Sequence, residues 1–186
     1  MKIKKCKNCK SSNLLNLFSL GNLNFTGKFP KSKSTNINKA LLGLIMCKKC
    51  ALIQLSRSYN LKYLYGPDYG YRTGINKTMR DHMNEISKML SKKSNLAPDD
   101  CVLDIASNDA TLLNFYNKNI VKVGIDPLVN KYIKCYKNIN YKISDFFSAN
   151  KIFEKKIYKK FKIITALSVF YDAEDPNSFL NDVQKI

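Results

Sequence analysis

The chain predicts an α/β protein: a small N-terminal module built on cysteine knuckles, then part of a doubly wound parallel sheet. Three observations carry that prediction. Two C-x-x-C pairs stand within the first 50 residues. An amphipathic helical pattern follows them. Beyond residue 100, short apolar runs alternate with helix-like segments, the pattern of βαβ units with right-handed crossovers.

The cysteines come first. Cys6-Lys-Asn-Cys9 and Cys47-Lys-Lys-Cys50 form a C-x2-C-x37-C-x2-C pattern. Two residues between cysteines let both thiolates of a tight knuckle face one ion, and two knuckles complete a tetrahedral S4 shell. Such a shell has no open position, so Cys6, Cys9, Cys47 and Cys50 are expected to hold a structural Zn2+ in a zinc-ribbon-like module. A zinc ion with four thiolates carries a net charge of −2, which Lys5, Lys7, Lys10, Lys48 and Lys49 would offset. The bland alternative is two unrelated cysteine pairs, free or redox-active. Cys101 opens an apolar run and Cys135 falls in a helical pattern; both read as small core residues.

The net charge is +18, from 32 Lys and Arg against 14 Asp and Glu. Residues 1–67 carry 13 basic side chains and no acidic one, whereas residues 68–186 carry 19 against 14. Of the basic residues only three are Arg, the side chain best suited to bidentate phosphate and base contacts, and 21 Asn accompany the Lys. Lys-plus-Asn enrichment follows from an AT-rich coding sequence, so no nucleic-acid partner is expected; a basic N-terminal binding surface stays open as the alternative. No apolar run has the length of a membrane span and "MKIKKCKNCK" lacks a signal-peptide core, so no membrane association and a cytoplasmic location are expected.

Three segments follow: a zinc-binding domain at 1–58, a Tyr-rich connector and helix at 59–92, and the sheet domain at 93–186. In the first, Gly21, Gly27 and Pro30 punctuate short strands and loops. In the second, "YNLKYLYGPDYGYRT" precedes Ile75, Met79, Met83, Ile86 and Leu90, whose spacing makes one face of a helix from about Gly74 to Ser91. In the third, strands are expected at 101–105, 121–125, 139–143 and 162–168, with helices near 111–118, 128–136, 149–160 and 176–186.

The stretch "VLDIASNDATLL" (102–113) occupies the place where doubly wound sheets hold nucleotide cofactors, yet its loop has no glycine. It puts Asp104 at the end of the first strand, then Ala106, Ser107, Asn108 and Asp109. "VKVGIDP" ends the second strand with Asp126, the usual place of an acidic grip on ribose hydroxyls. "ISDFF" puts Asp145 after the third strand, where an adenine amino group would be met. Each Asp alone reads as well as a helix cap; the ordered set points to a nucleoside cofactor.

These motifs carry a family resemblance. "DYGYRTG", "LDIASNDATLL" (103–113), "VGIDP" (123–127) and "ITALSVFYDAEDPNSFLNDV" (164–183), behind the paired knuckles, resemble the N-terminal part of the S-adenosylmethionine-dependent methyltransferases that include deoxysugar C-methyltransferases. The resemblance implies a Rossmann-like methyltransferase sheet, S-adenosylmethionine as cofactor and carbon methylation of a nucleotide-linked keto-deoxysugar or related small molecule. Of the connector tyrosines it singles out Tyr71, ahead of Tyr69, for the substrate pocket; an aromatic packing role is the alternative. It puts the catalytic His/Glu pair beyond residue 186, and His82 reads as a solvated helix residue. The rival reading is a zinc-ribbon nucleic-acid-binding protein with a non-catalytic α/β domain.

Ala106 and Ala110 replace glycines of the family's loop. If either sits at positive φ, it carries strain of order 1 kcal/mol or more. The resemblance also predicts an incomplete sheet whose fourth strand is left with an open apolar edge, and hence self-association or pairing with a missing C-terminal half.

Overall fold

A computed structural model of the chain describes residues 1–25, 27–30, 32–157 and 160–186. The chain forms two compact units: one of Met1–Tyr71 with Glu174–Asn177, the other of Arg72–Ala173 with Ser178–Ile186. Most of the connector, residues 59–71, therefore groups with the N-terminal unit, and the long helix with the second.

The N-terminal unit is built on an antiparallel sheet of order β1-β2-β3, with β1 at Leu14–Asn24, β2 at Lys39–Cys47 and β3 at Ile53–Leu55. Leu15 opposes Met46 and Met46 opposes Ile53; one face of the pleat is thereby set, and Ile45 with Gln54 lies on the other. A short helix, α1 (Leu61–Leu64), starts at Asn60, whose side chain accepts the Lys62 N–H. The Tyr/Gly connector turns back onto the earlier loop. The Gly70 N–H donates to the Gly27 carbonyl at 2.7 Å. Gly27 sits at φ +73°, and a Cβ there would lie 2.3 Å from the Tyr69 ring, so both conformation and space call for glycine.

The second unit is an α/β body around a parallel sheet of order β6-β5-β4-β7. Its strands are β4 (Cys101–Ile105), β5 (Val121–Ile125), β6 (Tyr141–Ile143) and β7 (Phe161–Thr165). Side chains alternate between the faces. Val102 packs with Met83, Leu112, Leu113 and Tyr136, under α2 (Lys77–Lys93) and α3 (Thr111–Phe115). Leu103, Ile105, Val123 and Ile125 pack on the other face with Ile152 of α4 (Ala149–Glu154) and with Phe179 and Val183 of α5 (Pro176–Lys185). Apolar burial on both faces explains why the central strands are mostly apolar, with Asp104 and Lys122 as their buried charged residues. Helix α2 begins where Asn76 accepts the N–H groups of Thr78 and Met79.

Three helices are shorter than their sequence patterns. The expected helix at 128–136 is a series of turns ending in a 3-10 turn at Ile133–Tyr136. Its far end is pinned from outside: Tyr136 is drawn into the core, its hydroxyl paired with Ser107. The helix expected at 111–118 stops at Phe115, because Tyr116 turns extended (φ −70°, ψ 150°) and buries its ring. The helix at 149–160 ends at Glu154, followed by Lys156 at φ 56°; residues 158 and 159 of that expectation lie outside the described ones. Among the described residues, no helix is long and apolar enough to cross a membrane.

Candidate functional site

The two cysteine knuckles of the N-terminal unit are copies of one local structure. In the first, Cys6 donates its N–H to the Ser11 carbonyl and accepts from Lys10 N–H; in the second, Cys47 donates to Leu52 and accepts from Ala51. Each knuckle ends on a left-handed residue, Lys10 at φ 61° and Ala51 at φ 59°. This turn directs the two sulfurs of each pair to one point. All four Sγ atoms lie within 4.8 Å of one another. Across the knuckles, Cys6 faces Cys50 at 3.6 Å and Cys9 faces Cys47 at 3.5 Å. A disulfide would bring sulfurs to about 2.05 Å, whereas a tetrahedron of Zn–S bonds near 2.3 Å has edges of about 3.8 Å. The spacing fits the metal. Burial pushes the Cys47 thiol up, but the backbone N–H groups of Cys50 and Lys49 outweigh it and bring the thiol down to about 6. Four thiols around one point carry four negative charges only when a cation balances them. These four cysteines could therefore hold a metal such as zinc.

The second candidate site is at the carboxyl ends of the parallel strands. After β4 the chain adds β5 and β6 on one side, then crosses to place β7 on the other. The order reverses at β4, and open α/β sheets bind ligands outside the strand ends at such a switch point. Asp104 sits there in register with Gly124 of β5 and Thr165 of β7. Its carboxyl group is buried and accepts the Thr165 hydroxyl at 2.6 Å. Burial, which outweighs the Thr165 bond, and the nearby Asp126 charge push it up to about 7.

The loop after β4 is left-handed at alternate residues: Ala106 at φ 59°, Asn108 at φ 50° and Ala110 at φ 60°. Both alanines thus hold backbone conformations that suit glycine. Ser107 shares a hydrogen bond with the buried Tyr136 hydroxyl at 2.7 Å, and that hydroxyl also donates to the Asn108 carbonyl. Asp126, buried beside the loop, accepts the Asn108 N–H at 3.0 Å and the Leu128 N–H at 2.7 Å, one on each oxygen. Burial raises its carboxyl group and those two bonds lower it, for a net rise. A carboxylate offers about four lone-pair positions, so two protein bonds leave room for a ligand hydroxyl.

Asn108 and Asp109 turn toward residues 72–74. The Asn108 side-chain oxygen Oδ1 accepts the Thr73 N–H at 3.0 Å. Asp109, 2% exposed, accepts Arg72 Nε at 2.9 Å and Gly74 N–H at 3.0 Å on one oxygen, and Thr111 on the other. Arg72 also lies over the Tyr132 ring, 5.7 Å from its centroid, and reaches Cys135 Sγ at 3.2 Å. A Cβ at Gly74 would stand 2.7 Å from Asp109 Oδ2 and 2.6 Å from Thr111 Oγ1. Asp109 is thus a clamp on the R-T-G segment. Sequence reading gave no role to Arg72, Thr73, Gly74 or Tyr136; for the first three the signal was their place in the "DYGYRTG" motif.

Asp145 lies at the end of β6, half-exposed, bonded to the Phe146 N–H and paired with Lys151 at 3.3 Å. Tyr71 belongs to the N-terminal unit, where it is 44% exposed and tilts against Tyr69 with ring centroids 6.5 Å apart. His82 is exposed on α2. No protein-family model matches the chain, and no curated protein matches it.

Proposed function

We propose that the second unit binds S-adenosylmethionine at the carboxyl ends of β4 and β5, and that the chain acts in methyl transfer to a nucleotide-linked keto-deoxysugar or related small molecule. The observation that carries the reading is the coincidence of the switch point at β4 with a buried acidic pair, Asp104 and Asp126, and a loop of alternating left-handed residues. The resemblance of "LDIASNDATLL" and "VGIDP" to the methyltransferase motifs names the cofactor. Asp126 would hold the ribose hydroxyls with its remaining lone pairs, and Asp145, after β6, would face the adenine. When bound, the cofactor supplies an electrophilic methyl group.

The chain's own contribution is placement. Thr165 fixes Asp104, Tyr136 fixes Ser107, and the Arg72–Asp109 pair fixes the loop before any ligand arrives. Preorganisation of this kind avoids ordering costs on binding. Tyr71 is the connector residue that the resemblance assigns to the acceptor. The paired cysteines hold a structural zinc in this account.

Calorimetry with S-adenosylmethionine and S-adenosylhomocysteine tests the reading. Binding should be lost or weakened by Asp126→Ala, at a cost of about 1–3 kcal/mol for a hydrogen bond to a buried group. A chain that ignores both nucleosides but binds nucleic acid with steep salt dependence would support the zinc-ribbon alternative instead.

A further inference from the structure

The two cysteine knuckles are tied to each other by a reciprocal pair of bonds. The Lys48 N–H, in the second knuckle, donates at 2.9 Å to the carbonyl of Asn13, four residues after Cys9. The Lys7 N–H, at the same place in the first knuckle, donates at 2.8 Å to Gln54, four residues after Cys50. The Lys48 bond extends the β1–β2 pairing past Leu14 and Cys47 and is made by backbone alone. The Lys7 bond ends on a side chain, at Oε1 of Gln54. Gln54 lies opposite Ile45, which shares the buried face of β2 with Cys47, and is itself 7% exposed. Its Nε2 is buried without a hydrogen-bond partner among the described residues. A buried amide with an unmet donor is destabilising, and an apolar side chain would serve the packing better. The oxygen is what this position uses.

We propose that Gln54 is a positioning residue of the four-cysteine metal centre, an inference that rests on reading those cysteines as zinc ligands. By holding Lys7 it fixes Cys6 and Cys9 against Cys50 and Cys47, at the cross-knuckle separations of 3.6 and 3.5 Å. Groups that hold metal ligands in place from outside govern how tightly the metal stays. The two halves of the centre are therefore unequal. The second knuckle is built into the chain between β2 and β3 and secured by backbone bonds. The first is tied to β3 through a replaceable side chain, which makes it the half that opens when that tie is cut.

Gln54→Met keeps the bulk and removes the oxygen. With the zinc-loaded full chain, chelator competition should show zinc affinity lowered at least about tenfold. That loss would also follow from a weakened fold, so the discriminating readout is thiol alkylation by N-ethylmaleimide, resolved by mass spectrometry. Cys6 and Cys47 are both 0% exposed and report the two knuckles on equal terms. In Gln54→Met the rate at Cys6 relative to Cys47 should rise at least about fivefold, because the first knuckle opens locally. Ile45→Ala, a packing loss on the same face, should raise both rates together. Gln54→Glu, which retains an acceptor for Lys7, should leave the ratio within about twofold of native. Should Gln54→Met lose its zinc outright, Gln54→Asn, whose shorter amide falls short of Lys7, carries the same comparison. An unchanged ratio in a zinc-loaded variant without the acceptor, or the same rise in Gln54→Glu, would overturn the proposal. A native chain that takes up no zinc would overturn it together with the metal reading, so metal content tells the two failures apart.

Discussion

Ala106→Gly and Ala110→Gly test the strain in the strand-end loop, and the two are not equivalent. Both alanines sit near φ +60°. A non-glycine residue in that region costs about 1–2 kcal/mol relative to its preferred conformations. Glycine removes that cost but loses more backbone entropy on folding, about 0.5–1 kcal/mol. The net gain at Ala106, which is only half-buried, is therefore about 0.5–1 kcal/mol. Ala110 is fully buried, and deleting its methyl group forfeits about 0.8 kcal/mol of apolar burial. The two effects nearly cancel, so Ala110→Gly should be close to neutral. Thermal and urea unfolding of the single and double variants decides the matter, with Ala106→Gly raising Tm by roughly 2–6 °C. Destabilisation by Ala106→Gly, or an equal gain at both positions, would refute the reasoning.

Three further outcomes are expected. Metal analysis should find about one zinc per chain, and chelation should unfold the N-terminal unit while α/β circular dichroism from the second unit persists; a metal-free, folded protein would contradict this. Asp104→Asn should stabilise the protein at pH 7. The folded carboxyl group, raised from 3.8 to about 7, holds a proton that the unfolded chain releases, so stability falls as pH rises from about 4 to about 7. The substitution should flatten that slope, worth on the order of 2–4 kcal/mol, in denaturant titrations across the range. Gly74→Ala should cost about 1–3 kcal/mol by pushing the backbone off Asp109, read from the urea midpoint; a neutral variant would show that the R-T-G contact is loose.

The strands of the parallel sheet were legible because burial on both faces makes them largely apolar, as at Cys101–Ile105 and Val121–Ile125, each interrupted by one charged residue. The paired knuckles were legible because a four-sulfur shell needs fixed spacing within each pair. Helix lengths were not. Residues 128–136 have helical periodicity, but the buried Tyr136 hydroxyl bonds Ser107, 29 residues away, and that long-range contact overrides local preference. The role of Asp109 was hidden for the same reason: its partners Arg72 and Gly74 are 37 and 35 residues away. Ala106 and Ala110 gave a conditional warning in the sequence, and their positive φ meets the condition.

The central claim, a nucleoside cofactor at the carboxyl ends of β4 and β5, is tested most directly by amide NMR spectra of the full chain titrated with S-adenosylhomocysteine. The account predicts saturable shifts confined to Asp104–Ala110, Asp126–Leu128 and the neighbourhood of Asp145, with the resonances of Cys6–Cys9 and Cys47–Cys50 unmoved. No shift at saturating nucleoside, in the native chain and in the Ala106→Gly/Ala110→Gly variant alike, would contradict it.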